Sequence, residues 1–288
     1  MKNTKLILAA LVIAGGSLFY QSCQKDSMIR NPSNNNNSSS SIRAASDEAY
    51  MDHQSTYIDA VVDAVTFDIS TIRGNGLPDC ATVTYDTSGA IKTATVNYGD
   101  TPCQTNGEEQ EWRQGILVIT WTGNMLDSGT VKTVTTQNYF VGETDTTMHQ
   151  LDFNKTITNL GHNASGNLHF SVVVANATLT LDSGQTVTWS ANRERELVQP
   201  IPGNASDDYV MISGTSSGTD RNGLPFTTQI TNPLRKNADC EWVVSGTKVT
   251  THGNEPSRTL DYGDGTCDNL ATITVNGNTT TIHIDKDE

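Results

Sequence analysis

The chain has 288 residues and contains 32 acidic and 18 basic side chains, so its formal net charge is −14. This charge argues against nucleic acids and anionic lipid headgroups as partners. It does not select a ligand, because acidity also serves the solubility of exported proteins. The length is sufficient for one large or two small domains with a proper core.

The N-terminus has the pattern of an export signal. Lys2 and Lys5 precede an apolar run from Leu6 to Tyr20, which is too short to cross a membrane as a helix. Cys23 follows directly after small and polar residues. We therefore predict a lipoprotein signal peptide over residues 1–22 and a lipidated Cys23 that anchors the mature protein in a membrane. An ordinary signal peptide with an incidental cysteine is the alternative.

The next segment changes from a predicted tether to a predicted helix. Residues 23–45 contain runs of asparagine and serine with little to bury, which predicts a disordered tether. Ser46 could cap a short helix over residues 46–68, whose tyrosines and valines lean to one side. Three acidic residues fall on another face, which we interpret as solvated, with a calcium or partner site as the alternative: Asp52, Asp59 and Asp63.

Residues 72–286 follow the pattern of β-strands. Threonine and valine alternate with other residues at period two, as in "GILVITWTG" and "ATLTLDSGQTVTWSA". Short turn sequences such as "LDSGQ" and "VNGNT" join neighbours, and no helix-length pattern separates the strands. The sequence therefore predicts an all-β fold, an antiparallel meander that forms a sandwich or partial barrel.

Two regions of this β domain resemble each other. In the modules at about residues 79–140 and 239–286, a cysteine opens one strand, and a second strand ends in Tyr-Gly-Asp shortly before another cysteine. Exported proteins can oxidise thiols, and with Cys23 lipidated the other four cysteines allow three pairings. The partial duplication favours the pairs Cys80–Cys103 and Cys240–Cys267. It also indicates that the loops "NYGDTPC" and "DYGDGTC" are structural corners.

The chain resembles uncharacterised lipoproteins of Bacteroidota-type bacteria, in which a lipoprotein signal and a polar tether precede a threonine-rich β domain. Stretches that carry this likeness include "SGTSSGTDRNG", "NPLRKNADCEWVVSGT" and "RTLDYGDGTCDNLATITVNG". The resemblance implies an outer-membrane lipoprotein of the cell envelope, facing either the periplasm or the surface, and it implies no activity.

No pattern of an enzyme stands out. The stretch "GTSSG" around Ser216 fits Gly-x-Ser-x-Gly, but a turn and a strand follow it where a hydrolase requires a helix. The six histidines lack zinc spacing, and we place His252 in a surface turn. The sequence thus favours a non-enzymatic protein without a cofactor, and a hydrolase with an unrecognised site remains an alternative.

Two weaker signals concern ligands. Trp112 follows the polar segment "NGEEQE" and is the best candidate for an exposed platform that stacks on sugar rings. Asp264 and Asp268 lie in an oxygen-rich, glycine-containing loop that could hold calcium, although such pairs also form ordinary turns. The leading hypothesis is a membrane-tethered, non-enzymatic protein that presents a binding or structural surface, and the first alternative is glycan binding. The candidate partners are a glycan and an envelope protein.

Overall fold

A computed structural model of the protein describes residues 36–66, 77, 79–105, 111–199 and 207–284. The predicted signal peptide and Cys23 lie outside the described residues. One helix, α1, spans Asn36–Thr66. Among the described residues, no helix is both long enough and apolar enough to cross a membrane. The described residues after the helix form fifteen strands: β1 Thr82–Asp86, β2 Ile91–Asn97, β3 Cys103–Gln104, β4 Trp112–Thr122, β5 Val131–Gly142, β6 His149–Asp152, β7 Asn154–His162, β8 Leu168–Thr180, β9 Thr186–Val198, β10 Tyr209–Thr219, β11 Pro225–Asn237, β12 Val243–His252, β13 Arg258–Asp264, β14 Leu270–Val275 and β15 Asn278–His283.

The strands confirm the predicted fold class. They form one antiparallel sheet in the order β1-β2-β4-β5-β6-β8-β9-β10-β11-β12-β13-β14-β15, with β3 beside β4 and with β7 pairing β5 and β8. Most neighbours in the sheet are also neighbours in sequence, because short turns join antiparallel strands. The sheet is therefore a meander, as the period-two pattern predicts.

Helix α1 differs from its prediction in length and in surroundings. It begins at Asn36, before the predicted start at Ser46, so residues 36–45 of the predicted tether are helical. Every residue from Ala44 to Ser55 is buried, which includes all faces of the helix. Side chains from strands as distant in sequence as β4 and β12 reach this helix. The sheet thus curls around α1, and the helix occupies the interior of a partial barrel.

Apolar side chains of α1 and of the inner sheet face build the core. Met51, Ile58 and Val62 pack in one cluster with residues of β2 to β9, including Leu117 and Trp189, and with Phe226 of β11. Ala45 and Ala49 join a second cluster with residues of the last five strands, including Trp242, Leu260 and Ile273. Each burial of a large apolar side chain contributes roughly 1.5–3 kcal/mol, so α1 is an integral part of the core.

Bulges bend the strands where they curl around the helix. At Gly214 in β10, φ is +119° and an added Cβ would lie 2.2 Å from the backbone oxygen of Asn192. The pairing register of β10 with β11 shifts next to this glycine, between Ile212 and Thr215. Bulges of this kind bend a strand and increase its twist. Only glycine fits both the backbone conformation and the close approach of β9.

The cysteines pair as predicted, Cys80 with Cys103 and Cys240 with Cys267. The two "Tyr-Gly-Asp" corners beside them also correspond in structure. Tyr98 and Tyr262 are both buried, and the glycines that follow them have φ values of +89° and +97°. Each of these glycines donates its N–H to the side-chain oxygen two residues earlier, on Asn97 or Asp261. Both loops are therefore built as corners at strand ends.

Candidate functional site

The acidic residues of α1 point into the sheet, so the interpretation of their face as solvated is wrong. Lys248 Nζ lies 2.5 Å from Asp52 Oδ2, and Arg193 Nη2 lies 3.0 Å from Asp52 Oδ1. None of the paired side chains is more than 12 % exposed. Other ion pairs of the helix's acidic residues include Asp47–Arg221, Glu48–Lys248, Asp59–Lys155, Asp59–Arg195, Asp63–Arg195 and Asp63–Lys132.

Burial and ion pairing act in opposite directions on the pKa values of these groups. Burial acts to raise the pKa of Asp52, but Lys248 and Arg193 outweigh it and hold the pKa below its usual value. Asp63 behaves in the same way beside Arg195 and Lys132. Both carboxylates are therefore ionised at neutral pH, and charge–charge contacts fix the helix within the sheet.

A second buried cluster joins α1 to the start of β4. Gln54 Nε2 donates to Glu111 Oε1 at 2.9 Å, and Arg113 pairs with the same carboxylate. Burial acts to raise the pKa of Glu111, but Arg113 and His53 bring it down to about 2. Arg113 also donates to the hydroxyl of Tyr139 at 2.8 Å. These contacts form a buried network of ion pairs and hydrogen bonds that fixes the positions of the charged side chains in the core.

The structure gives Ser216 and His252 structural surroundings. Ser216 lies within β10, is buried, donates to Glu48 at 3.2 Å and accepts from Arg193 at 3.2 Å. It is not at a strand-to-helix turn, so the arrangement of a hydrolase elbow is not present at this serine. His252 ends β12 and is 1 % exposed against Arg258, so its prediction as a surface-turn residue is wrong.

The predicted calcium ligands serve their own turns. Asp264 Oδ1 accepts from the backbone N–H of Thr266 at 3.2 Å and from its hydroxyl at 2.8 Å. Asp268 Oδ1 accepts from the N–H of Leu270 at 3.0 Å. Within the described ranges, no three histidine, cysteine, aspartate or glutamate side chains come together as a metal site. Asp264 thus acts as a turn residue of the "DYGDGTC" corner, and Asp268 acts as one in the turn that follows it.

Trp112 is the one tryptophan of the four that is not buried. It is half-buried at the start of β4, on the face opposite to the buried Arg113. Trp121, Trp189 and Trp242 are core residues, with exposures of 7 %, 1 % and 4 %. Trp112 therefore keeps the outward placement that stacking on a ligand would require, whereas the other three tryptophans do not.

The outer face of β8 to β12 carries a groove of about 900 Å³, which we call the outer groove. None of its lining residues, all within the described part of the chain, is charged. Val173 and Val249 add apolar contacts between the hydroxyl and amide side chains. The polar side chains that define the outer groove include Asn192, Thr215, Ser217, Thr227, Gln229 and Thr251.

Strand bulges shape this groove. Asn176 in β8 has a φ of +51°, and the register between β8 and β9 shifts between Val174 and Ala177. The register of β11 with β12 shifts next to Thr231, which lines the groove. Because bulges bend the strands on which they lie, these shifts and the one at Gly214 make the outer face concave. Sequence reasoning missed the outer groove, and Trp112 is not among its lining residues.

Searches for similar proteins found no counterpart of this chain: no family model, no curated protein and no solved structure matches it.

Proposed function

We propose that this protein is a lipid-anchored, non-enzymatic binding protein of the bacterial cell envelope, and that the outer groove is its ligand surface. The predicted signal peptide and Cys23 support the location. The observation that carries the binding role is the outer groove itself. Its volume of about 900 Å³ is within the range of ligand sites, roughly 300–1,000 Å³.

The chemistry of the groove favours an uncharged glycan as the ligand. Threonine, serine, asparagine and glutamine side chains can both donate to and accept from sugar hydroxyls. Val173 and Val249 offer apolar surface to the C–H faces of a sugar ring. None of the residues that line the outer groove, all of which are described, carries a charge, and this favours a neutral ligand over an ionic one. An extended segment of an envelope protein is the competing ligand.

Replacing Thr227 by tyrosine should block the outer groove and weaken glycan binding at least about tenfold, which corresponds to about 1.4 kcal/mol. Thr227 is exposed on β11, where an aromatic residue is compatible with a strand. The matched control is Thr281→Tyr on β15, which is also exposed and lies outside the groove. Binding is measured on an array of neutral and charged glycans.

The same array tests the alternatives. Trp112→Ala should leave binding unchanged, and a loss of binding in this variant would move the site to β4. If the array detects no neutral glycan, or if Thr281→Tyr weakens binding as much as Thr227→Tyr, the proposal is contradicted. Binding of an envelope protein that Thr227→Tyr abolishes, without any glycan binding, would replace the glycan with a protein ligand at the same groove.

A further inference from the structure

A cleft beside α1 leads into the interior of the sheet, at a place distinct from the outer groove. Its outer chamber, of about 80 Å³, lies at the ends of β9, β10 and β11 that meet there. Ala60 of the helix and Leu197, Val210 and Ile212 of the strands give this chamber apolar walls. Part of the helix is accessible here, since Ala60 is half-buried whereas residues 44–55 are buried.

The cleft continues into a smaller inner chamber of about 20 Å³. The two chambers share lining residues, among them Thr56, Arg195 and Ile212. Trp189 and Arg193 line the inner chamber but not the outer one. The apolar outer chamber therefore leads to an inner end that is lined by two guanidinium groups and an indole.

Three N–H groups of the inner chamber's lining side chains lack a hydrogen-bond acceptor among the described residues. They are Trp189 Nε1, Arg193 Nη1 and Arg195 Nε. The three side chains are 1 %, 6 % and 6 % exposed, respectively, so bulk water does not satisfy these donors. Buried donors are almost always paired in folded proteins. Three unpaired donors on one small chamber thus indicate a missing acceptor.

The carboxylates in the chamber wall do not supply that acceptor, because other groups already hold them. Asp52 is paired with both Lys248 and Arg193, and Asp59 is paired with both Lys155 and Arg195. Two of these bases are shared, Lys248 with Glu48 and Arg195 with Asp63, and Asp63 also pairs with Lys132. The ion pairs around these residues therefore contain four acids and five bases. The electrostatic surroundings of the inner chamber consequently favour a ligand that brings a negative charge or a strong acceptor.

We propose that this cleft binds a short aliphatic carboxylate, with its carboxylate at the inner chamber and its chain between Ala60, Leu197 and Val210. The two chambers together are smaller than the roughly 150 Å³ cavity that accommodates benzene. They therefore enclose only the carboxylate and about the first two carbons of its chain, and the rest of the chain lies along the open, apolar side of the outer chamber. Asp208 lines only the outer chamber, is 5 % exposed, and its Oδ1 has no donor within the described ranges. Three acids, Asp59, Asp63 and Asp208, line the outer chamber together with two bases, Arg195 and Lys236. This excess of negative charge disfavours the reverse orientation of the ligand.

Titration of the ¹⁵N-labelled protein with hexanoate tests this site. The indole N–H signal of Trp189, identified by its absence in Trp189→Phe, should shift saturably. Ala60→Leu should fill the outer chamber and weaken binding at least about tenfold, whereas Ala64→Leu should not, because Ala64 is exposed on the same helix and does not line the cleft. Both substitutions keep a good helix former.

Two probes of the same length test the recognition of the carboxylate. Hexanol and hexylamine should bind at least about tenfold more weakly than hexanoate, since charge-assisted hydrogen bonds are the stronger ones. The proposal is overturned if hexanoate does not shift the Trp189 signal saturably, or if Ala60→Leu and Ala64→Leu weaken binding equally. Equal binding of hexanol or hexylamine overturns it as well, because the donors would then not select the ligand.

Discussion

Replacing Asp52 by asparagine should lower the free energy of unfolding by about 3–5 kcal/mol, because it removes the buried counter-ion that Arg193 and Lys248 share and leaves Lys248 with Glu48 alone. Asparagine keeps the shape of aspartate, but it removes the charge and replaces one acceptor oxygen by a donor NH2 group. Lys248 is 1 % exposed and Arg193 is 6 % exposed, so water cannot replace the lost carboxylate at either base. Urea denaturation followed by circular dichroism measures the change, with the slope of the transition checked for two-state behaviour.

The matched control is Asp152→Asn on β6. Asp152 is exposed, and surface substitutions of this kind usually change stability by less than about 0.5 kcal/mol. A cost for Asp52→Asn as small as that of the control would mean that the acidic face of α1 lies in solvent, as its sequence pattern indicates. The predicted cost is a large fraction of a typical total stability of about 5–15 kcal/mol.

Removal of either disulfide should cost about 3–4 kcal/mol in the chain-entropy estimate, because each bridge closes a loop of similar length. The bridged cysteines are 23 and 27 residues apart in sequence. The paired substitutions Cys80→Ser with Cys103→Ser, and Cys240→Ser with Cys267→Ser, should therefore lower stability by similar amounts in urea denaturation.

Peptide mapping without reduction provides the control for this prediction. It should recover one peptide pair that contains Cys80 and Cys103 and another that contains Cys240 and Cys267. A peptide that joins one region to the other would contradict both the disulfide prediction and the correspondence of the two corners. A cost below about 1 kcal/mol for both paired substitutions would show that the bridges do not constrain the unfolded chain as the entropy model requires.

Local patterns made the strands and the cysteine pairs predictable. Alternation at period two is a property of each strand by itself, and short turns between strands leave few alternatives to an antiparallel meander. The repeated spacing around Tyr98 and Tyr262 similarly selected one of three disulfide pairings. The strands and the cysteine pairs are determined by patterns within a few dozen residues, and for these features the sequence prediction and the structure agree.

The surroundings of α1 depend on residues far away in sequence, and there the prediction failed. An acidic stripe on a helix usually faces water, but here the bases come from strands on all sides of the helix. One signal in β9 could have indicated this. Arg193 and Arg195 continue the inward alternation of Val187, Trp189 and Ala191. Basic residues at inward positions of a strand require buried acidic partners.

The outer groove and the cleft could not be predicted, because both arise from the curvature of the whole sheet. Thr227 and Gln229 look like ordinary exposed strand residues in the sequence. They become part of a concave surface only because bulges on neighbouring strands bend the sheet in the same region. The unpaired donors of the cleft are likewise visible only once Trp189 and Arg193 are placed against the helix.

Hydrogen exchange of α1 tests most directly the claim that the helix is enclosed by the sheet. Amides of residues 44–55 should exchange as slowly as those of the central strands β4 and β9, through global unfolding, because every residue in this part of the helix is buried. Mass spectrometry of peptides from the native protein gives both rates in one experiment. If the peptides of the helix exchange orders of magnitude faster than those of β4 and β9, the enclosed helix and its network of buried ion pairs are contradicted.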